Sequence, residues 1–117
     1  MDGLNASQIQ LARLLDELAV DEGGNRTNLE GVEVFRISQP VPRHPVVYRP
    51  KLLFVGQGRK VGYIGDEVYH YDPFNYLVLA VPIPAESEAF ATPEEPLLIA
   101  SIDLNPTMLG EMLLEMD

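Results

Sequence analysis

The first pattern along the chain is an apolar stripe near the N-terminus. Its members recur three or four positions apart, which is the period of one helix face. They are Ile9, Leu11, Leu14, Leu15 and Leu18. Asn5 and Gln8 have the spacing of a capping box at a helix start, and Gly23 with Gly24 favours the helix end. We therefore predict an N-terminal helical segment over residues 1–24, with one side packed on the rest of the chain.

From residue 32 onward the apolar period changes to two, which is the period of β-strands. The predicted strands cover residues 32–37, 52–55, 60–64, 67–71, 76–81, 85–91 and 97–104. The segment 76–81 is continuously apolar, so we expect it to be the most buried strand. Residues 39–50 contain four prolines. Because proline has no N–H to donate to a sheet, this stretch favours an edge strand or an extended connection.

The clearest turn lies at Gly65 and Asp66, between two alternating runs. A two-residue Gly-Asp loop in this position is typical of a β-hairpin. About seven short strands, flanked by two helices and with no helices between them, favour a mainly β barrel or sandwich over an alternating α/β sheet. We predict a single domain over residues 1–117, with a β-barrel over residues 32–104.

A second apolar helix face lies at the C-terminus. Asn105 and Pro106 suit the cap and the first position of a helix. The face that follows consists of Met108, Leu109, Met112, Leu113 and Met116. We expect residues 105–117 to be the start of a truncated C-terminal helix. Methionine adapts to irregular surroundings, so this face suits either core packing or a contact between subunits.

The composition excludes several classes of protein. The absence of cysteine rules out a disulfide scaffold, a thiol nucleophile and cysteine-ligated metals. Eight basic against eighteen acidic residues give a net charge of -10, which repels phosphate groups of nucleic acids and of anionic membranes. No apolar run approaches the ~20 residues that cross a bilayer, and no export signal is visible. We therefore expect a cytoplasmic protein with no membrane partner.

Few side chains suit catalysis or metal binding. Only His44 and His70 are histidines, whereas a metal centre in a barrel needs about three or four converging ligands. None of the serines lies in a strand–turn–helix elbow. The glycines of residues 56–60 resemble a phosphate loop, but a strand follows where a helix is required. We expect no catalytic residue, no metal and no cofactor.

The tyrosines are concentrated in the β region. They are Tyr48, Tyr63, Tyr69, Tyr71 and Tyr76. Inside a barrel, such residues would form an apolar cavity with a few hydrogen-bonding groups, as small-molecule sites do. They could equally pack as half-buried strand residues with solvated hydroxyls. Alternation places Tyr69 and Tyr71 on one strand face and Val68 and His70 on the other, but it does not say which face points inward.

A series of short segments carries a family resemblance. They are YRPKL at 48–52, QGRK at 57–60, GDEVYHYDP at 65–73, YLV at 76–78, TPEEP at 92–96 and IDLNP at 102–106. In this order they resemble the N-terminal domain of AraC-type bacterial transcription regulators, over nearly the whole chain. The resemblance implies a cupin-like jelly-roll barrel that binds an effector and dimerises. It also implies a C-terminal half with two helix-turn-helix motifs that binds promoter DNA, and that half is absent from this chain.

The chain departs from related proteins at three points. His70 stands alone where cupin enzymes carry an HxH pair, so metal chemistry is not carried over. Phe74 occupies a turn position that is usually glycine in cupins. The sugar-binding residues of the arabinose regulator have no clear matches, so the identity of the effector is not carried over either.

We therefore interpret the chain as the effector-sensing and dimerisation domain of an AraC-type regulator. The polar lining of the barrel is assigned to Gln57, Tyr63, His70 and Tyr76, and the homodimer interface to Met108, Leu109, Met112, Leu113 and Met116. The alternative is a stand-alone cupin-type enzyme, similar to a small isomerase, which would need a metal or an acid–base pair inside the barrel. A third option is a structural barrel with a filled interior and no ligand.

Overall fold

The computed structural model describes residues 3–79, 82–104 and 107. Within these residues lie one helix, α1 (Ala6–Leu18), and nine strands. The strands are β1 (Gly23–Arg26), β2 (Val32–Ile37), β3 (Val41–Tyr48), β4 (Lys51–Gln57), β5 (Arg59–Ile64), β6 (Glu67–Tyr71), β7 (Leu77–Leu79), β8 (Ile83–Phe90) and β9 (Leu97–Asp103). The predicted C-terminal helix and its methionine face lie outside the described residues.

The strands form two antiparallel sheets. The five-stranded sheet has the order β1-β2-β9-β4-β7, and the four-stranded sheet has the order β3-β8-β5-β6. The pairs are nested along the chain, since β2 pairs with β9, β3 with β8, β4 with β7 and β5 with β6. The prediction of a mainly β fold is confirmed, and this order is compatible with the predicted jelly roll.

The main core lies between the two sheets, where every second residue of a strand turns inward. The five-stranded sheet contributes Leu53, Val55, Leu97 and Ile99. The four-stranded sheet contributes Tyr48, Tyr71 and Ala89. This alternation decides which polar side chains face the interior and which face solvent.

Helix α1 packs on the outer face of the five-stranded sheet. The predicted capping box is confirmed, since Asn5 Oδ1 accepts from Gln8 N and Gln8 Oε1 accepts from Asn5 N, both at 2.8 Å. Leu15 and Ala19 are buried against Val34. The helix is shorter than the predicted segment 1–24, because β1 begins at Gly23 and pairs with β2.

Arg36 on β2 holds the C-terminal end of the helix. Its Nε donates to Ala19 O at 2.7 Å, and an Nη donates to Asp16 O at 2.9 Å. The same guanidinium is paired with the Asp16 carboxylate. The carbonyl oxygens of Asp16 and Ala19 therefore have partners, although the residue at the helix C-cap is Ala19 and not a glycine.

The sequence predictions for the strands had different outcomes. The Gly65-Asp66 hairpin is confirmed as β5 and β6. The proline-rich stretch forms β3, an edge strand of the four-stranded sheet, as expected. The expectation that segment 76–81 is the most buried strand is wrong for its described part. Strand β7 is a three-residue edge strand, and Val78 is exposed.

The close seat of α1 at Gly56 gives a testable prediction. A Cβ on Gly56 would lie 2.6 Å from Leu15 Cδ1 and 3.3 Å from the backbone Cα of Ala12. We expect Gly56→Ala to lower the free energy of unfolding by about 1–3 kcal/mol, because the helix must shift outward. Denaturant unfolding measures this change.

The control is Gly24→Ala on the edge strand β1. The nearest atom there is the Glu33 carboxylate oxygen, at the end of a flexible side chain that can move aside. Its loss of stability should be smaller. Equal losses in the two variants would show that the helix is not seated closely on Gly56.

Candidate functional site

Two tyrosines from opposite edges of the four-stranded sheet meet inside the molecule. Tyr48 lies on β3 and Tyr71 on β6, and their hydroxyl oxygens are 2.5 Å apart. Both side chains are buried. The strands between them present Gly62 and Ser87, which are directly opposite each other in the β5–β8 pairing. Because these two residues are small, the tyrosine side chains can extend over them and meet.

Lys60 lies beside this hydroxyl pair. It is directly opposite Tyr71 in the β5–β6 pairing and opposite Ala89 in the β5–β8 pairing. Its Nζ lies 5.8 Å from the ring centroid of Tyr48 and 5.9 Å from that of Tyr71, within the ~6 Å range of cation–π contacts. Burial, followed by the positive charge of Lys51, lowers the pKa of Lys60 to about 8.

The charge of Lys60 has no carboxylate partner among the described residues. Their ion pairs are Arg36 with Asp16 and Arg43 with Glu86, and neither involves an interior lysine. Ser87 Oγ is also buried, and it lies near enough to the Tyr71 hydroxyl to oppose the rise in the pKa of Tyr71, but it makes no hydrogen bond of ordinary geometry in the described part of the chain. We call Tyr48, Lys60, Tyr71 and Ser87 the interior polar cluster.

The interior polar cluster is rich in hydrogen-bond donors. Burial, followed by the neighbouring Tyr48 hydroxyl, raises the pKa of Tyr71, so this hydroxyl stays protonated at neutral pH. Two hydroxyls that share one hydrogen bond retain a second O–H, and a lysine ammonium carries three N–H groups. The cluster can therefore donate several hydrogen bonds to a ligand that brings acceptor oxygens.

Two of the residues predicted to line the barrel lie on the outer side of the four-stranded sheet. The Tyr63 hydroxyl donates to Glu88 Oε1 at 2.8 Å, and the Arg43 guanidinium lies 3.8 Å from the Tyr63 ring centroid. The hydrogen bond to Glu88 raises the pKa of Tyr63. His70 is exposed on the edge strand β6, one position before Tyr71 and therefore on the opposite face.

The other two predicted lining residues are also apart from the cluster. Gln57 follows a bulge near the end of β4, and its Nε2 donates to Pro96 O at 2.8 Å. Tyr76 is 65% exposed, and its ring centroid lies 5.5 Å from that of Phe54. The structure therefore does not bring Gln57, Tyr63, His70 and Tyr76 around one cavity.

Lys60 and Ser87 were missed by the sequence analysis, although a signal for Lys60 was present. A two-residue turn at 65–66 fixes the hairpin register, in which residue 64 pairs with 67 and residue 60 with 71. The sequence alone thus places Lys60 beside Tyr71. Ser87 had no comparable signal, because its position depends on the pairing of β8 with β5, which are far apart in the chain.

An open cleft of about 470 Å³ lies at one end of the molecule. The turn between β4 and β5, the turn between β6 and β7 and the loop after β8 line it. The Arg59 guanidinium lies 3.8 Å from the Phe90 ring centroid at this cleft. Asp72 and Thr92 hold their own turns through backbone hydrogen bonds. These two side chains are thus already partnered, in contrast to Lys60 and Ser87.

Among the described residues, no group of three or more histidines and carboxylates is placed to hold a metal ion. Within the same residues, no helix is both long and apolar enough to cross a membrane.

The tyrosine pair gives a second prediction. Tyr71→Phe leaves the buried Tyr48 hydroxyl without its partner, so the free energy of unfolding should fall by about 1–3 kcal/mol. Because the pKa of Tyr71 is raised in the folded state, its contribution is present at neutral pH and is lost as pH rises above about 10. The difference from wild type should therefore shrink above that pH.

Unfolding by urea at pH 7 and at alkaline pH measures both effects. The control is Tyr76→Phe, which changes a largely exposed hydroxyl and should alter stability little at either pH. If the two variants behave alike, the Tyr48–Tyr71 hydrogen bond does not stabilise the fold.

Comparisons with known proteins were made for the sequence and for the structure. No curated protein sequence matches the chain significantly. The fold is similar to the crystal structure of protein NMB1881 from Neisseria meningitidis, with a TM-score of 0.56 and 15% sequence identity. That match covers 83% of this chain and 97% of the Neisseria chain, and at this identity it supports the fold alone.

The family comparison is more informative. Residues 28–117 match the model of the AraC-type transcriptional regulator N-terminus. The match covers most of the chain, including every strand from β2 to β9, and it confirms the resemblance carried by the short segments between residues 48 and 106. The chain therefore belongs to the family of N-terminal regulatory domains of AraC-type transcriptional regulators.

Proposed function

We propose that the chain is an effector-sensing and dimerisation domain, and that a small organic effector binds between the two sheets of a cupin-like jelly roll at the interior polar cluster. The observation that carries this proposal is a group of interior donors with few partners, namely the buried Ser87 hydroxyl and the partly buried Lys60 ammonium beside the tyrosine pair. Ser87 is 1% exposed and its hydroxyl has no partner in the described residues. A ligand bound at this point would supply the missing hydrogen-bond acceptors.

The interior polar groups gain more from a bound ligand than the polar groups at the open cleft. A buried polar group without a partner costs about 1–3 kcal/mol, and buried groups in native proteins are normally satisfied. Lys60 adds a partly buried charge without an ion pair among the described residues. A ligand that satisfies these groups recovers the cost on binding, whereas Asp72 and Thr92 at the cleft gain nothing comparable.

The cluster is also connected to α1, which offers a route for signalling. Tyr71 is the last residue of β6, and the turn that follows contains Pro73, whose carbonyl oxygen accepts from Gln8 Nε2 at 3.0 Å. A ligand that shifts Tyr71 would thus bias the placement of the helix N-terminus. Such a bias requires a ligand with different affinities for the two arrangements.

The remaining parts of the proposal follow from the family. The Met108, Leu109, Met112, Leu113 and Met116 face would pair with its counterpart in a second copy of the chain. Contact with DNA would be made by a C-terminal helix-turn-helix half. The domain would act in the cytoplasm and carry out no catalysis. In this scheme the N-terminal domain senses the effector and the second half reads the promoter.

Ligand binding is tested by a thermal-shift screen of small metabolites against the chain. A compound that binds only the folded state stabilises the protein, by about 2.7 kcal/mol at a concentration of a hundred times the Kd. This stabilisation raises the melting temperature of the protein. We expect at least one compound to do so. Tyr71→Phe should weaken the binding of that compound, because the substitution removes an interior hydroxyl.

The matched variant is Tyr63→Phe, which removes a hydroxyl on the outer side of the same sheet. It should leave the ligand-induced shift unchanged. A shift that depends on Tyr63 and is insensitive to Tyr71 would place the effector outside the sandwich and overturn the proposed site.

Dimerisation is tested by the mass of the chain in solution. Wild type should sediment as a dimer, and Met112→Glu should sediment as a monomer, because a charge in an apolar contact must be desolvated without a partner. Glu111→Gln, next to the apolar set in sequence, is the control and should remain dimeric. Equal monomer masses for wild type and Met112→Glu would remove the dimer from the proposal.

A further inference from the structure

The chemical class of the effector can be inferred from the groups that the interior polar cluster offers. Lys60 and Ser87 have no partner among the described residues, and the tyrosine pair has one O–H to spare. All of these groups can donate hydrogen bonds. The described residues place no carboxylate at Lys60 to accept them. The complementary ligand group therefore carries acceptor oxygens.

The positive charge near the interior polar cluster restricts the chemical class of the effector further. Lys60 and Lys51 are close enough for the charge of one to act on the other. Asp103 is opposite Lys51 in the β4–β9 pairing, but it is exposed and forms no ion pair within the described residues. Neither lysine is ion-paired with a carboxylate in the described part of the chain, so the potential beside Lys60 is positive, although the chain as a whole carries a charge of -10. This potential favours an anionic ligand over a neutral one.

The surroundings of the cluster are apolar. Tyr48 and Tyr71 belong to the same buried core as Leu53, Val55 and Leu79. A ligand with its anionic group at Lys60 would therefore place the rest of its surface against aliphatic side chains. A carboxylate has two acceptor oxygens, and its single negative charge matches the single ammonium beside these hydroxyls.

We propose that the effector is a small organic acid with an apolar body, whose carboxylate contacts the Lys60 ammonium and the hydroxyls of the tyrosine pair and Ser87. This inference rests on the proposed function, since it assumes that the interior is the effector site. It goes beyond that function by naming the charge and the chemical class of the ligand.

The test compares carboxylic acids with their amides. Hexanoate and benzoate are titrated into the 117-residue chain beside hexanamide and benzamide, and binding is followed by calorimetry and by tyrosine fluorescence. Each acid should bind at least about tenfold more tightly than its amide, as expected for a charge-assisted hydrogen bond in a buried site. Lys60→Met should abolish this preference.

The variants include their own controls. Arg59→Met removes a neighbouring cation whose side chain stacks on Phe90 on the other face of β5, and it should preserve the preference for acids. Lys60→Met should fold and melt at a higher temperature than wild type without ligand, because it removes a partly buried charge that has no ion-pair partner among the described residues. A lower melting temperature would show that Lys60 has a partner that stabilises it.

The dependence on pH gives an independent readout. The titratable groups near Lys60 are Tyr48 on β3, Tyr71 on β6 and Lys51 on β4, with Asp103 on β9 opposite Lys51. Ala89 and Ser87 on β8 do not titrate. The free protein holds the pKa of Lys60 at about 8, and a bound carboxylate raises it. The affinity for acids should be constant between about pH 6 and that pKa, where the acids are ionised and Lys60 is charged, and it should fall by up to about tenfold per pH unit above the pKa.

The outcomes separate this inference from the proposed function. If an amide binds as tightly as its acid, and Tyr71→Phe weakens both, the interior site stands and the acid class is wrong. If inorganic phosphate binds more tightly than both acids, the proposal of a carboxylate as the ligand group is wrong. If no acid binds at millimolar concentration, or if acids bind equally well to Lys60→Met, the inference is overturned.

Discussion

The arrangement of the interior depends on one hydrogen bond, which joins two side chains from opposite edges of the four-stranded sheet. Strands β3 and β6 are the two edges of the four-stranded sheet, three strand spacings of about 4.8 Å apart. The Tyr48 and Tyr71 side chains cross that distance and meet at their hydroxyls. They can do so only because Gly62 and Ser87 occupy the two central strands beneath them. Larger residues there would push the tyrosines apart, and Lys60 would lose the two rings beside it. The small size of two residues thus allows the polar groups to collect between the sheets.

The outer and inner faces of the four-stranded sheet carry different charges. The outer side carries acidic residues and exposed ion pairs such as Arg43 with Glu86, and exposed pairs of this kind contribute little stability. The inner side carries Lys60 with no anion among the described residues and a serine with no partner. In the absence of ligand, this arrangement costs stability. Natural proteins often retain such a cost at binding sites, because function there requires polar groups that packing alone would exclude.

The sequence predicted local features better than long-range ones. The hairpin at Gly65 and Asp66 and the cap at Asn5 depend on neighbouring residues, and both are confirmed. Strand β1 was missed because Gly23 and Gly24 indicate a helix end, and only pairing with β2 makes them a strand. The burial of β7 was overestimated because an apolar run does not reveal that its strand lies at a sheet edge. For the same reason His70 was assigned to the interior: alternation separates it from Tyr71, but only the packing of the second sheet decides which face is inside.

The prolines of β3 have a consequence for assembly. Pro42 and Pro45 lie within this eight-residue edge strand, and neither has an N–H to donate. An edge that lacks donors is a poor template for an incoming strand, which is how many β proteins avoid aggregation. The four-stranded sheet is thereby protected against growth on its β3 side, so further β-strands would have to be added at β6, next to the residues that hold the tyrosine pair.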